Sequence, residues 1–147
     1  MAKVTVAGVE IFYKEAGEGP PILLIHGAGG NADAWGTTYT DLTQGHRVIA
    51  YDRRGFRNSQ HPPVKDYHRH GEDAAALLST VGAAPATVVG WSGGGITALD
   101  LAVNHPQVIS SLVLVEPPLL AKKHLTLQMA RAFLKVQLAV MTCGLPW

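Results

Sequence analysis

The sequence predicts an α/β protein: a mostly parallel sheet of about six strands, opened by an antiparallel N-terminal hairpin. Three observations carry this expectation. After Gly8, Val9, Ile11 and Tyr13 alternate with Glu10, Phe12 and Lys14, the pattern of a hairpin. Short continuous apolar runs then recur at Ile22–Ile25, Val48–Tyr51 and Thr87–Val89, and such runs suit strands covered on both faces. Between them lie stretches whose apolar residues fall at helical spacing.

Each element has its own signal. Lys3 to Ala7 and Val9 to Ala16 read as two hairpin strands near a sheet edge. Gly17 to Pro21 form a loop before the strand that ends at His26. Asn31 to Thr43 reads as a helix, capped by Asn31 or Asp33, weakened by Thr37, Thr38 and Thr40, and stopped by Gly45. Arg47 to Tyr51 is a strand that runs into Asp52-Arg53-Arg54-Gly55. Pro62 and Pro63 fix a loop. Tyr67 to Val81 reads as a helix with Ala74, Leu77, Leu78 and Val81 on one face. The strand from Thr87 leads to Ser92. A helix then runs to about Asn104, where His105-Pro106 stops it. Val108 to Val115 makes a last strand, closed by Glu116-Pro117-Pro118. Residues 1–118 are therefore expected to form the core. Residues 119–147 break the alternation. Leu127, Ala130, Leu134, Leu138 and Met141 lie there at helical spacing and suggest a long amphipathic helix, the start of a helical cap.

Composition sets outer bounds. The 147 residues suffice for one domain with a real core. Apolar residues make up 47% and charged residues 16%, which argues for a folded chain. A net charge of +1 gives no electrostatic case for a nucleic-acid partner. Cys143, the single cysteine, cannot form an internal disulfide. No signal-peptide core opens the chain, and Arg131 and Lys135 interrupt its most apolar region, so no membrane span is expected. A cytoplasmic protein is expected.

The stretch around which the chain is organised is Ala86–Gly95, ATVVGWSGGG. A β-branched run meets a turn almost bare of side chains, and a helix follows. In that context Gly90-Trp91-Ser92-Gly93-Gly94 reads as a G-x-S-x-G nucleophile elbow. The reason is steric: a serine on so tight a turn needs glycines two before and two after, so that strand and helix can approach. Its hydroxyl then projects near the first helical N–H groups. The alternative is a structural strand–helix turn that happens to contain serine.

Four motifs in order carry a resemblance. They are His26-Gly27-Ala28-Gly29-Gly30, Tyr51-Asp52-Arg53-Arg54-Gly55, the elbow at Ser92, and Leu112-Val113-Leu114-Val115-Glu116-Pro117. Over residues 3 to about 118 the chain resembles the α/β-hydrolase fold family, in its serine-nucleophile branch and in its N-terminal part only. The resemblance implies that Ser92 forms an acyl-enzyme, that the backbone N–H groups of Gly93 and Ala28 hold the oxyanion, and that His26 and Gly27 belong to the loop supporting it. Arg53 and Arg54 read more simply as members of a salt-bridged turn. Arg57 and Asn58 stand where the family often has Gly and a small residue. Trp35, Trp91 and Phe56 are candidates to line a substrate pocket or, more plainly, core residues.

The family's order places an acid and then a histidine after the serine. Only His105 and His124 follow Ser92 here. His105 stops the helix that Ser92 starts, so it lies too far away. His124 sits beside Lys122 and Lys123 and reads as a solvated face. Glu116, at a strand end, is a candidate acid or a cavity-rim residue. The expectation is a serine hydrolase for small ester or related carbonyl substrates, impaired because its acid and base part is missing. A truncated gene, a split gene or a partial chain would each explain this. The strand at 110–115 would then be an open edge, inviting self-association or a complementing C-terminal fragment. The alternative is a non-catalytic remnant or ligand-binding module of the same fold.

No metal and no cofactor are expected. His61, His68 and His70 with Glu72 and Asp73 lack the spacing to share one helix face. Gly93-Gly94-Gly95 has no following Lys of the phosphate-binding kind. Ser92 disfavours the relatives that use an Asp nucleophile, the haloalkane dehalogenases and epoxide hydrolases. Hydrolysis of C–C bonds, cofactor-free haloperoxidation and acyl transfer stay open.

Overall fold

Ala7 and Gly8 both take positive φ, 48° and 74°, the pair of left-handed residues that a two-residue type I′ hairpin requires. They join β1 (Ala2–Val6) to β2 (Val9–Ala16), with Val6 opposite Val9. The described residues of this computed structural model are 2–59 and 64–118. Four further strands complete the sheet among them: β3 (Pro21–Ile25), β4 (Arg47–Tyr51), β5 (Ala86–Trp91) and β6 (Ile109–Val115). Their order is β1-β2-β4-β3-β5-β6. The β1–β2 and β2–β4 pairs are antiparallel; β4–β3, β3–β5 and β5–β6 are parallel. This is the sheet the sequence predicts.

Alternate residues of a strand face opposite sides, so the central runs are apolar throughout because both sides are covered. Leu23, Ile25, Ile49, Tyr51 and Val88 form one core with Leu77 and Leu78 of α2 (Tyr67–Thr80) and Leu101 of α3 (Gly93–Asn104). Ile22, Leu24, Val48 and Ala50 form the second core, against which Trp35, Tyr39 and Leu42 pack. Of the α2 face expected from Ala74, Leu77, Leu78 and Val81, the first three are buried, while Val81 caps the helix end and is partly buried.

One helix differs from expectation. Asn31–Thr43 is not continuous: a 3₁₀ turn at Ala32–Trp35 precedes a short α1 (Gly36–Leu42). Asn31 does cap the first piece, accepting from the Asp33 N–H at 2.7 Å. The break comes at Gly36, whose φ of 45° no regular helix contains.

Strand β6 is the last in the sheet order and has β5 on one side. Val113 and Val115 are 45% and 38% exposed, and Trp91, paired with Val115, is 39% exposed. Those three side chains make an apolar strip on the sheet face that carries Val89. No charge and no proline interrupts Ile109–Val115. No helix among the described residues is long and apolar enough to cross a membrane. The expected cap at 119–147, with His124, lies outside the described residues, as does His61.

Candidate active site

Strand β5 ends at Trp91 and α3 begins at Gly93, leaving Ser92 alone at the bend. Its φ of 51° and ψ of −121° are a conformation that residues other than glycine avoid, at a cost of about 1–3 kcal/mol. Two hydrogen bonds hold it there. The Ser92 N–H donates to the Val115 carbonyl at 2.8 Å, and the Ser92 carbonyl accepts from the Gly95 N–H at 2.8 Å. The surrounding glycines are required by contact. A Cβ on Gly90 would lie 2.6 Å from the Gly94 carbonyl oxygen and 2.7 Å from the Gly95 Cα. One on Gly94 would overlap the carbonyl oxygens of Ile25 and His26. These obstacles are backbone atoms and cannot step aside.

The loop after β3 faces this bend. A Cβ on Gly27 would sit 3.2 Å from the Ser92 Cβ and 3.7 Å from its Oγ. A Cβ on Gly93 would sit 3.5 Å from the Ala28 amide nitrogen. Ser92, Gly93, Gly27 and Ala28 are thus brought together. His26 is fully buried behind them. Its Nδ1–H donates to the Gly27 carbonyl at 2.8 Å, and its Nε2 accepts from the Arg53 N–H at 3.0 Å. Those partners fix the neutral tautomer. Burial pushes the imidazole down to about 4, against the Gly27 carbonyl, which favours the proton, and with the Arg53 guanidinium, which repels it. With both nitrogens engaged, His26 positions the loop and has no lone pair left for a proton from Ser92.

Asp52 ties this loop to the next. Its carboxylate accepts from the Ala32 N–H at 2.7 Å, the Asn58 N–H at 3.0 Å and the Asn58 Nδ2 at 2.9 Å. The Ser59 hydroxyl donates to the Asp52 carbonyl and accepts from the Phe12 N–H at 2.9 Å. The departure at Arg57-Asn58 has a local consequence: Arg57 takes φ 38°, a value easier for glycine, while Asn58 becomes a double ligand of Asp52. Arg54 and Asp73 form a buried two-pronged pair at 2.7 and 2.6 Å. Arg53 departs from the salt-bridge reading among the described residues. It donates to the Gly27 carbonyl at 3.1 Å and lies 4.5 Å over the Phe56 ring.

The remaining candidates are spread out. Trp35 packs on the second core, the plainer of its two readings. Trp91 stands exposed at the end of β5. Glu116 is exposed, at φ 47°, directly after Val115, whose carbonyl holds Ser92. No described histidine hydrogen-bonds Ser92. The His68 Nδ1 lies 3.3 Å from Asp100, the His70 Nε2–H donates to the Val64 carbonyl at 3.0 Å, and His105 stands at the far end of α3. Among the described residues no group of three or more His, Cys, Asp or Glu is placed to hold a metal.

Sequence reasoning missed Tyr67. It reads as a helix start, yet a Cβ on Gly93 would lie 3.4 Å from its hydroxyl. Only the fold brings residues 67 and 93 together, and no local pattern announces it.

The buried histidines carry a pH signature. His26 is lowered from 6.5 to about 4, and His70 is lowered by burial and then by Arg53. A depressed histidine binds its proton more readily in the unfolded chain. Stability present at pH 7 therefore falls as the pH drops through 6.5, and the fall due to His26 ends below about pH 4. Its share is at most about 3 kcal/mol. Urea unfolding at pH 7 and pH 4.5 measures the drop. His26→Gln is expected to be less stable at pH 7 and to lose less on acidification; an equal loss in both proteins would refute the assignment.

Comparison with known proteins shows the family of the fold. The model of the alpha/beta hydrolase fold family matches residues 20–142. An uncharacterised hydrolase of Bacillus subtilis is 38% identical over 122 residues, 81% of this chain and 45% of that protein. The 2-hydroxy-6-oxo-6-phenylhexa-2,4-dienoate hydrolase of Comamonas testosteroni is 36% identical over 121 residues, 78% of this chain and 42% of its own. Among solved structures, an N-acyl homoserine lactone degrading enzyme superposes with a TM-score of 0.73 at 32% identity, over 77% of this chain and 44% of that one. A thermophilic esterase from Thermogutta terrifontis does so at 0.72 and 29%, over 78% and 45%. The chain spans less than half the length of these relatives. With the family model matching most of its residues, the chain belongs to the α/β-hydrolase fold family.

Proposed function

We propose that this chain carries the nucleophile of a serine hydrolase acting on small esters or related carbonyl substrates. The observation that supports it is the strained Ser92, set against the Gly27-Ala28 loop at the head of α3. In this reading the Ser92 Oγ attacks the carbonyl carbon and its proton passes to a base. The carbonyl π pair moves onto oxygen, where the Gly93 and Ala28 N–H groups receive it. Losing one such donor typically costs about 3 kcal/mol in the barrier. Collapse expels the alcohol, and water then releases the acid from the acyl-enzyme. The relatives favour hydrolysis: their names include an esterase and a hydrolase of a dienoate with a 6-oxo group. Hydrolysis of C–C bonds, haloperoxidation and acyl transfer would use the same constellation.

The base and acid belong, in this proposal, to chain outside the described residues, with Glu116 as the nearest alternative acid. The second reading is a non-catalytic remnant or binding module. It is favoured by one observation: the described histidines are all engaged elsewhere or distant. A fluorophosphonate probe separates the two. Capture at Ser92, abolished in Ser92→Ala and accelerated by added imidazole as an external base, is the outcome expected of a competent elbow. No capture with or without imidazole would leave the remnant.

The same proposal includes a partner at the β6 edge, a second copy of the chain or a complementing segment. The edge lacks the lysines and prolines that usually blunt such strands, and its one register shift against β5, between Ala86–Ile109 and Thr87–Ser111, lies at its start. Sedimentation velocity is expected to show self-association that Val113→Lys weakens. A wild-type chain that stays monomeric at tens of micromolar, on the order of where exposed edges pair, would remove this part of the proposal.

A further inference from the structure

We propose that the Tyr67 hydroxyl is a third hydrogen-bond donor to the oxygen of the reacting carbonyl, beside the Gly93 and Ala28 amides. The inference rests on the serine-hydrolase reading of Ser92 and adds a side chain to it. Three features support it. The point where a Cβ on Gly93 would stand lies 3.4 Å from the Tyr67 hydroxyl and 3.5 Å from the Ala28 nitrogen. The phenol and the loop amide therefore flank one spot, one residue beyond the nucleophile. Gly93 leaves that spot unoccupied; a single carbon there would be in van der Waals contact with both groups.

Second, the ring is held. Tyr67 is the first residue of α2, whose start is fixed by the Asp66 carboxylate accepting the His68 N–H at 3.0 Å. Its ring meets the buried His70 edge-on, with centroids 6.4 Å apart, and His70 is anchored to the Val64 carbonyl. Third, Tyr67 is half-buried, and its hydroxyl makes no hydrogen bond to another described residue. A phenol facing an amide-lined site, with its donor uncommitted among the described residues, suits a developing negative charge, because a preorganised donor needs no reorientation when the charge appears.

The step balances without proton transfer from tyrosine. Ser92 Oγ forms the new C–O bond, the carbonyl π electrons move to oxygen, and the Tyr67 O–H shares its hydrogen with that oxygen. The hydrogen bond weakens again when the tetrahedral species collapses.

The test compares wild type and Tyr67→Phe in the 147-residue chain, using a fluorophosphonate probe whose phosphoryl oxygen takes the oxyanion position. Inactivation rate at saturation, probe affinity and melting temperature are read together. The rate is expected to fall about 100- to 1000-fold, in line with loss of one donor, with affinity and melting temperature unchanged. An unchanged rate, a change in affinity alone, or a rate loss that tracks a lowered melting temperature would each overturn the donor role. A wild-type chain that never reacts at Ser92, with or without added imidazole, overturns the serine-hydrolase reading, and this inference falls with it. Capture of wild type with equal rates in the variant removes Tyr67 alone.

Discussion

Ser92 sits where a serine does not want to be, and its surroundings are arranged around keeping it there. Holding φ at 51° costs about 1–3 kcal/mol. The opposing forces are steric and short-range. Gly90, Gly94 and Gly95 let β5, α3 and the end of β3 meet closer than any Cβ would allow, and the Val115 carbonyl pins the Ser92 amide. α3 packs on the first core through Ala98 and Leu101, so the close approach of β5 and α3 is tied to that core. The strained φ is thus held by close backbone packing at one strand–helix bend, with the Ser92 hydroxyl beside the Gly27 loop.

The facing loop is held by a different means. There the contacts are polar and buried: His26 bridges Gly27 and Arg53, and Asp52 gathers the Ala32 and Asn58 amides. Buried polar groups with full partners rigidify what they join. His26 is neutral for a physical reason, since a buried imidazolium beside Arg53 would be both desolvated and repelled. The outcome is a Gly27-Ala28 loop held beside Ser92 by buried hydrogen bonds.

Much of this was legible in the residue order. Ile22–Ile25, Val48–Tyr51 and Thr87–Val89 announced strands buried on both faces, and the glycines about Ser92 announced a bend without room for side chains. The facing histidine-glycine loop was legible through its likeness to a family. What was not legible depended on distance along the chain. Nothing near Tyr67 signals that its hydroxyl ends beside Gly93, twenty-six residues later. Arg53 reads as a member of a salt-bridged turn until the fold buries it against Phe56 and Gly27. The break at Gly36 was hidden for a more local reason: the apolar spacing of Ala32, Trp35 and Tyr39 continues through it, while the backbone does not.

The most direct measurement is a crystal structure of the chain with a small alkyl boronic acid, which adds to an accessible nucleophilic serine as a tetrahedral anion. The account predicts boron bonded to the Ser92 Oγ, with one boronate oxygen about 2.7–3.1 Å from both the Ala28 and Gly93 nitrogens. A boronate oxygen facing solvent, or a Ser92 relaxed to negative φ and turned away from residues 26–30, would contradict it.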